Sequence, residues 1–437
     1  MAWYESGGIL VGLILFFMAI GVPVAVAFIA ANLIGIMVFA GGLDGLTQII
    51  NNSTNLITNY TFSPVPLFMF MGGLFFHTGL AIKVFDGLDK LMGRLPGRLC
   101  YLTIAGGTMF STLTGSTMAN TAMLGSLLVP EMRRRGYSTK MTIGPILGTG
   151  GLAMIIPPST LGVLLASLAG IDVGRLLVAG ALPGLVLATL YASMVFLQVK
   201  LDPDSAPSYE VEQVPMLAKA VAFLIHVAPM ALVIFMVIGF IILGFATPTE
   251  SAAFGVAGVL ILALVYGKLS WQAVQKALQD TVKVSGMVFF IVMGSAVFSQ
   301  LLAFSGASSG MLRWATHYDV GPLVILLAIF CVYLLLGMFM DQVSMMLITV
   351  PIVFPLAQGL GFDLIWFAMI VMIALEMSLT TPPFGLLLFI MLGVAPQGTT
   401  MGQVIRAALP FLFCDALLVV LMVAFPPLVL YLPSLMG

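Results

Sequence analysis

Two stretches of sequence decide the fold: MIIPPSTLG at residues 154–162 and LTTPPFGLL at residues 379–387. Each places two consecutive prolines inside a long apolar segment. Consecutive prolines remove two backbone N–H donors and bias the preceding residue away from helical geometry, so a helix must break at each pair. The two pairs are 225 residues apart, with Pro157 equivalent to Pro382. The sequence therefore predicts two broken helices in equivalent positions of a duplicated structure.

Other features share the 225-residue offset. Pro23 lies over Pro248, and Pro130 lies over Pro355. The polar cluster in GSTMANTAMLGSLLVP, which ends at Pro130, lies over the one in MDQVSMMLITVPIVFP, which ends at Pro355. Because transporters commonly consist of two related halves, we predict a duplicated architecture. The predicted division is repeat 1 over residues 1–199, a polar linker over residues 200–219, and repeat 2 over residues 220–437.

The composition indicates a membrane protein. Of the 437 residues, 61% are hydrophobic and 8% are charged, and the mean hydropathy is +1.17. Soluble domains carry about 25% charged residues. A spanning helix needs roughly 20 apolar residues, which leaves room for about ten to twelve spans. The apolar runs lack the alternation of barrel strands, so the predicted class is an all-α polytopic membrane protein. A net charge of −1 excludes a broad basic surface for nucleic acid.

The distribution of Lys and Arg predicts the orientation of the two halves. Residues 81–100 and 131–140 together hold eight of the 16 basic residues, which predicts that both stretches are cytoplasmic. The equivalent stretches, 306–325 and 356–365, contain only Arg313. We therefore expect inverted repeats. The first apolar run has no Lys or Arg ahead of it, so we expect it to remain as a helix instead of being cleaved as a signal peptide.

A re-entrant hairpin is predicted over residues 98–131. The segment is apolar at both ends, polar at TGSTMANTA (114–122), and too long for one ordinary span. Irregular backbone at membrane depth is tolerated only beside protein or a water-filled cavity, so the turn marks a site. The alternative is one tilted helix whose Ser and Thr side chains bond to their own carbonyls. Broken helices are expected over residues 141–170 and 364–395.

The second hairpin, predicted over residues 322–356, carries Asp341 at its tip. An acid in such apolar sequence is costly unless it meets a cation, a proton or a base. Residues 314–405 contain no Lys or Arg. We therefore interpret Asp341 as a Na⁺ ligand, with Thr380 and Thr381 nearby. The alternative is a protonated or water-exposed aspartate at the end of a hairpin.

Three further acids lie in apolar surroundings. Glu250 follows the break at Pro248 and is expected to cap a helix N-terminus. Glu376 lies one helical turn before Thr380 and is close enough to influence the second site. For Asp415 we expect no more than an interhelical hydrogen bond.

Enzymatic function is not supported by any motif. The three histidines are scattered, and HExxH, GxSxG and Walker sequences do not occur. The three cysteines show no CxxC spacing and are expected to pack as small hydrophobes. Without a nucleotide site, energy must come from an ion gradient or from no source at all.

The sequence resembles the large membrane subunit of tripartite ATP-independent periplasmic (TRAP) transporters. The resemblance covers essentially the whole chain and implies a scaffold domain, a moving transport domain and Na⁺-coupled uptake by an elevator motion. It also implies a location in the bacterial inner membrane. The segments that carry it are GSTMANTAMLGSLLVPEM (115–132), GLAMIIPPS (151–159), FATPTESAA (245–253), GMFMDQVSMMLITVPIVFP (337–355) and TTPPFG (380–385).

The resemblance also implies binding sites and partners. One Na⁺ site would lie between the first hairpin tip and the first break, and the other between the second tip and the second break. The implied partners are a small four-helix membrane subunit, a periplasmic binding protein that delivers the substrate, and a small organic acid such as a C4-dicarboxylate or sialic acid. The Na⁺ zones comprise Gly115, Ser116, Asn120, Ile155, Pro157, Gly337, Asp341, Thr380 and Thr381, and the candidate substrate contacts are Ser116, Thr117, Ser159, Gln342, Ser344 and Pro382.

Three other functions compete with this interpretation. A stand-alone Na⁺/dicarboxylate symporter of the wider ion-transporter group would share the hairpins and broken helices, but its typical Ser-Asn-Thr tips are absent as such. An ion channel would need a continuous polar path, whereas the polar residues here cluster at two depths. An intramembrane enzyme would need a nucleophile and a base that converge.

Overall fold

The computed structural model describes residues 2–42, 45–47, 51, 60–93, 95–114, 116–207, 215–317 and 321–436. Within these ranges every regular element is helical. In the first half the α-helices are α1 (Trp3–Ala19), α2 (Val24–Phe39), α3 (Pro64–His77), α4 (Leu80–Leu91), α5 (Arg98–Thr114), α6 (Thr117–Arg134), α7 (Thr139–Ile155), α8 (Thr160–Ala169), α9 (Val173–Ala179) and α10 (Ala181–Leu201). In the second half they are α11 (Met216–Ala222), α12 (Ala228–Ile242), α13 (Pro248–Val265), α14 (Trp271–Phe304), α15 (Ala307–His317), α16 (Pro322–Leu336), α17 (Gln342–Gly359), α18 (Leu364–Thr380), α19 (Leu386–Val394), α20 (Met401–Ala424) and α21 (Pro427–Ser434). Short 3₁₀ helices cover Tyr60–Phe62 and Pro203–Ser205, and a π-helix covers Phe223–Val227.

The first half contains a helical hairpin followed by a broken helix. Helices α5 and α6 are separated only by residues 115 and 116, and Ser116 caps α6 by accepting a hydrogen bond from Ala119 N at 3.4 Å. Helices α7 and α8 meet at the proline pair with a bend of 43°. The Oγ of Ser159 caps α8 by accepting from Gly162 N at 3.1 Å. A side-chain acceptor at each helix start satisfies backbone donors that would otherwise lie unpaired in an apolar medium.

The second half also contains a helical hairpin followed by a broken helix. Helix α16 ends at Leu336 and α17 begins at Gln342, with Asp341 as the cap; α18 ends at Thr380 and α19 begins at Leu386. The Pro382–Pro383 peptide bond is cis, as is Pro157–Pro158. The same local chemistry therefore produces the same local structure in both halves.

Helix boundaries follow the 225-residue offset closely. Adding 225 to the bounds of α6 gives 342–359, which are the bounds of α17, and adding it to those of α7 gives 364–380, which are the bounds of α18. Helices α2 and α13 agree to within one residue at each end. The duplication predicted from a few prolines thus extends to whole elements.

Among the described residues, fewer helices are long enough to span a membrane alone than the ten to twelve spans for which the composition leaves room. In the part of the chain that the structure describes, six continuous helical stretches are long and apolar enough to cross a membrane, or eight if two bent pairs, α3 with α4 and α7 with α8, each count as one. Four more apolar helices, α1, α2, α16 and α18, are 10–17 residues long. The reason is that hairpins and broken helices divide their apolar residues between two short helices.

Helices α7 and α18 occupy the centre of the protein. In α7 every residue from Met141 to Ile155 is buried, and in α18 every residue from Trp366 to Thr380. A Cβ at Gly144 or Gly148 would lie within 2.7 Å of the Phe411 ring on α20, so glycine is what allows this close approach. The two central helices thus end at the two breaks and position them inside the protein.

Both ends of the predicted polar linker are helical in the structure. Helix α10 continues to Leu201 and α11 already begins at Met216, although the linker was expected over residues 200–219. The backbone N–H of Ser138, at the end of the first hairpin, donates to the carbonyl of Ser205 at 2.8 Å. The linker is therefore attached to the loop that follows the first hairpin.

Candidate functional site

A cavity of about 420 Å³ lies between the two hairpin tips. Its volume is in the range of sites for small organic ligands. The first tip contributes residues 116–119 and the second contributes residues 341–343, and both face helices α3 and α14. The remaining lining residues are Met69, Gly72, Gly73, Phe76, His77, Thr160, Leu161, Leu164, Asp280, Thr281, Val284 and Val288.

Three helices begin at this cavity. The first residues of α6, α8 and α17 are Thr117, Thr160 and Gln342, and all three line it. A helix N-terminus carries a partial positive charge and free N–H donors, so it attracts anions. The convergence of three N-termini makes the cavity suitable for an anionic ligand in a region with few basic residues.

His77 carries the only basic side chain among the described residues that line the cavity. It ends α3, and its Nε2 lies 2.8 Å from Oδ2 of Asp280 on α14. The histidine side chain is 19% exposed and the aspartate side chain is 59% exposed. A carboxylate in the cavity would therefore compete with Asp280 for the imidazole.

Asp341 serves as a helix cap. Its Oδ2 accepts hydrogen bonds from the backbone N–H groups of Val343 at 3.0 Å and Ser344 at 3.3 Å, and Oδ1 accepts one from the Ser344 hydroxyl. The helix N-terminus therefore stabilises the carboxylate without a basic side chain. This role was not among the interpretations that the sequence suggested, and it leaves Oδ1 able to accept further.

Asn120 lies behind the first tip in a buried polar cluster. Its Nδ2 donates to the hydroxyl of Ser111 at 2.5 Å and to the carbonyl of Thr149 at 3.3 Å. Its Oδ1 and the hydroxyl of Thr121 are buried without a hydrogen-bond partner. A buried oxygen without a donor is costly, and a hard cation or a water molecule could satisfy it.

Glu376 is buried between the two hairpins, with 2% of its surface exposed. Its Oε2 accepts hydrogen bonds from Oγ1 of Thr117 and from Nε2 of Gln342, both at 3.4 Å. The sequence placed Glu376 beside the second site only; the structure places it in contact with both tips.

A second, small cavity of about 10 Å³ separates Glu376 from Asp415. Thr380 lines this small cavity and does not line the main one. Asp415 accepts a hydrogen bond from the Tyr191 hydroxyl, which is the interhelical bond expected for it. Glu250 caps α13 as expected, in a reciprocal pair with Thr247.

The predicted site residues divide into three groups. Gly115 lies outside the described residues. Ser116, Thr117, Asp341 and Gln342 line the main cavity. The residues set back from it are Asn120, Ile155, Pro157, Ser159, Gly337, Ser344, Thr380, Thr381 and Pro382.

The residues set back from the cavity have local partners. The hydroxyls of Thr380 and Thr381 both donate to the carbonyl of Met377, at 3.1 and 2.6 Å. Gly337 packs against Ser378, because a Cβ there would lie 2.2 Å from the Ser378 Cβ. Their assignment as Na⁺ or substrate contacts stays a prediction.

Sequence reasoning missed the pair His77 and Asp280. They are separated by 203 residues and carry no motif, so only the packing of α3 against α14 brings them together. In the described part of the chain, no group of three or more His, Cys, Asp or Glu side chains could hold a metal ion. A cation site there would have to use backbone carbonyl and hydroxyl oxygens in addition to single carboxylates.

Paired hairpins and broken helices around a central cavity define a membrane transporter. Solved structures support the fold: the Alcanivorax borkumensis YdaH transporter matches with a TM-score of 0.66 at 14% identity, over 88% of this chain and 90% of that one. Neisseria gonorrhoeae MtrF, described as illuminating a class of antimetabolite efflux pumps, matches with a TM-score of 0.58 at 14% identity, over 87% and 84%. The predicted all-α polytopic membrane fold is confirmed.

The sequence then identifies the family. Residues 11–428 match the tripartite ATP-independent periplasmic transporter, DctM component, and the chain belongs to this family. The C4-dicarboxylate TRAP transporter large permease protein DctM of Pseudomonas aeruginosa is 30% identical over 87% of each chain. The sialic acid TRAP transporter large permease protein SiaM of Vibrio cholerae is 29% identical over 89% of this chain and 92% of its own. The ectoine TRAP transporter large permease protein TeaC of Halomonas elongata is 25% identical over 98% and 97%.

Membership of this family confirms the resemblance noted in the sequence. The chain is a large permease of the TRAP type, a multi-pass protein of the bacterial inner membrane. The three relatives are named for C4-dicarboxylate, sialic acid and ectoine.

Proposed function

We propose that this protein performs Na⁺-coupled uptake of a small organic anion and has no enzymatic activity. The observation that carries the proposal is that one cavity is lined by both hairpin tips and by the first residues of three helices. Transporters with inverted repeats bind substrate and coupling ions where discontinuous helices meet. Three helix N-termini and His77 supply the attraction for a carboxylate.

In this proposal the coupling ions bind beside the two tips. At the first tip, the unpartnered Oδ1 of Asn120 and the neighbouring hydroxyls offer oxygen ligands. At the second, Oδ1 of Asp341 supplies the charge that a monovalent cation requires. Asp341 lines the proposed substrate cavity and Asn120 lies behind the tip that lines it, so each bound cation would strengthen the binding of an anion by attraction.

The partners proposed for this chain are a small four-helix membrane subunit and a periplasmic binding protein that delivers the substrate. The family is named as a tripartite transporter, and this chain matches its DctM component. The movement proposed is an elevator motion, in which the hairpins and broken helices carry the site past a fixed scaffold. The two central helices, α7 and α18, are buried along their length and suit a body that moves as a unit.

Uptake by reconstituted vesicles tests the proposal. Vesicles containing this protein and the small subunit, supplied with the binding protein and its substrate, should accumulate substrate under an inward Na⁺ gradient. Replacing Na⁺ with K⁺ on both sides, at constant ionic strength, is the matched control. Accumulation without Na⁺ would overturn the coupling, and accumulation by this protein alone would favour a stand-alone Na⁺/dicarboxylate symporter.

A further inference from the structure

Glu376 lies where equivalent residues of the two repeats meet. Thr117 and Gln342, which both donate to its Oε2, are the first residues of α6 and α17 and are separated by the 225-residue offset. One carboxylate oxygen therefore accepts a hydrogen bond from the first residue of the equivalent helix in each repeat.

The equivalent of Glu376 in the first repeat is Gly151. A Cβ at Gly151 would lie 2.4 Å from Oε1 of Glu376 and 2.7 Å from its Cδ and Cγ. Two equivalent residues that touch each other lie beside the two-fold axis that relates the repeats. Only one of the two can carry a side chain there, and the glycine leaves the space that the glutamate fills.

The carboxylate has no basic partner in the described part of the chain. It is 2% exposed, and its hydrogen bonds come from the two hairpin tips. The residues just before these donors, Ser116 and Asp341, are the caps at the two proposed cation positions. A shift of either tip therefore changes a hydrogen bond of Glu376, and through Oε2 it changes the environment of the other tip.

We propose that Glu376 is a positioning residue that couples the two hairpin tips, so that cation binding at one tip raises the affinity of the other tip for its own cation. The inference rests on the proposed function for the identity of the cation. Coupling free energies are reciprocal, and typical values correspond to about 5- to 150-fold changes in affinity. Glu376 does not itself line the main cavity, and it acts through Thr117 and Gln342, which do.

The first test compares Glu376→Gln with Glu376→Ala in the complete reconstituted transporter. The amide oxygen of glutamine can still accept from both tips, whereas alanine can accept from neither. Wild type should show a Hill coefficient for Na⁺ above 1. Glu376→Ala should lower it to about 1 and raise the Na⁺ concentration for half-maximal uptake about tenfold, as expected for a lost coupling. Glu376→Gln should retain most of the cooperativity.

Two results separate this inference from the proposed function. Na⁺-independent uptake by wild type overturns the proposed function. Na⁺-dependent uptake with the wild-type Hill coefficient in Glu376→Ala overturns only the coupling. Stabilisation of the purified protein by Na⁺, measured as a change in Tm, reports cation binding in each variant without reference to transport.

The second test moves the carboxylate to the equivalent position. In the double variant Gly151→Glu with Glu376→Gly, a glutamate on α7 would approach the same point from the opposite side of the axis. Cooperativity that is lost in Glu376→Gly should return in the double variant. The matched control is Gly150→Glu with Glu376→Gly, because position 150 faces Thr121 and not Glu376.

The outcomes of the exchange are distinct. A folded double variant that behaves like Glu376→Gly, with no return of cooperativity, contradicts the placement of this carboxylate on the axis. Restoration in the Gly150 control as well would contradict the dependence on position. If the double variant does not fold, the comparison of the Gln and Ala variants decides the proposal alone.

Discussion

At the residue scale, Asp341 shows how a half-buried carboxylate is stabilised by backbone and hydroxyl donors at a helix start. Two backbone amides and one hydroxyl donate to its carboxylate at the start of α17. Asparagine is as good a helix cap as aspartate, whereas alanine loses about 1 kcal/mol in this position. Substitutions at this residue can therefore separate capping from cation binding.

Asp341→Asn should fold like wild type and lose most of its Na⁺-dependent uptake. The cap is retained, but the charge that attracts the cation is removed. Thermal unfolding and vesicle uptake measure the two effects, with Asp341→Ala as the comparison that should lower both. Normal Na⁺ dependence in Asp341→Asn would leave Asp341 as a cap only.

His77→Gln should raise the KM for substrate about tenfold, because a hydrogen bond to a charged group contributes on the order of 1.5–3 kcal/mol. Asp280→Asn is the matched variant: it releases the imidazole from its acidic partner and should leave KM unchanged or lower it. Initial uptake rates over a range of loaded binding protein provide both values. A KM that rises equally in both variants would indicate that the pair is structural.

The sequence predicted the positions of some site residues but missed the contacts that they make. Ser116 and Asp341 were located correctly at hairpin tips, because polar residues in apolar sequence are conspicuous. The capping of α17 by Asp341 was missed, since a cap depends on the backbone direction at a turn that the sequence does not specify. The contact of Glu376 with both tips was also missed, because it requires the relative position of two repeats.

At the element scale, glycine sets how closely helices approach each other. Gly337 ends the first helix of the second hairpin, and a Cβ there would lie 2.2–2.3 Å from the Cβ and Oγ of Ser378. The hairpin can therefore rest against α18 only if residue 337 has no side chain.

Gly337→Ala should destabilise the protein, since overpacking typically costs about 1–3 kcal/mol. Gly286→Ala in α14 is the matched control: nothing lies within 4 Å of its Cβ, and alanine is the better helix former by about 1 kcal/mol. The Tm in detergent should fall for the first variant and stay or rise for the second. Equal Tm values would show that the hairpin adjusts without cost.

Helix boundaries were predicted best where a proline or a polar cap marks them. The break after Ile155 and the one after Thr380 follow directly from the proline pairs. The start of α11 at Met216 was missed, because MLAK (216–219) was grouped with the polar residues before it. The average composition of a segment does not show where a helix begins within that segment.

At the scale of the whole molecule, the two halves form one interior. The main hydrophobic core contains residues of both repeats, and the cavity takes its walls from both. The duplication was visible in the sequence through the 225-residue offset. The side-by-side placement of equivalent residues was not, because it is a property of the assembled pair.

If the hairpins move as a body, cysteines at Met118 and Val343 should change their accessibility together. Single cysteines in a background without Cys100, Cys331 and Cys414 can be labelled from each side of the membrane, with and without Na⁺ and substrate. A cysteine at Lys268, in the exposed loop after α13, should label identically in every condition. Tips that remain equally accessible from both sides would contradict the elevator motion and favour a fixed site.

The hydrogen bond between Thr117 and Glu376 joins residues that are 259 positions apart. A ribosome adds about 5–20 residues per second, so roughly 10–50 seconds separate the synthesis of the donor from that of its acceptor. During this interval the first hairpin enters the bilayer with its polar tip incomplete. The half of the binding site that the first hairpin carries therefore lacks its partner residues until the last third of the protein has been synthesised.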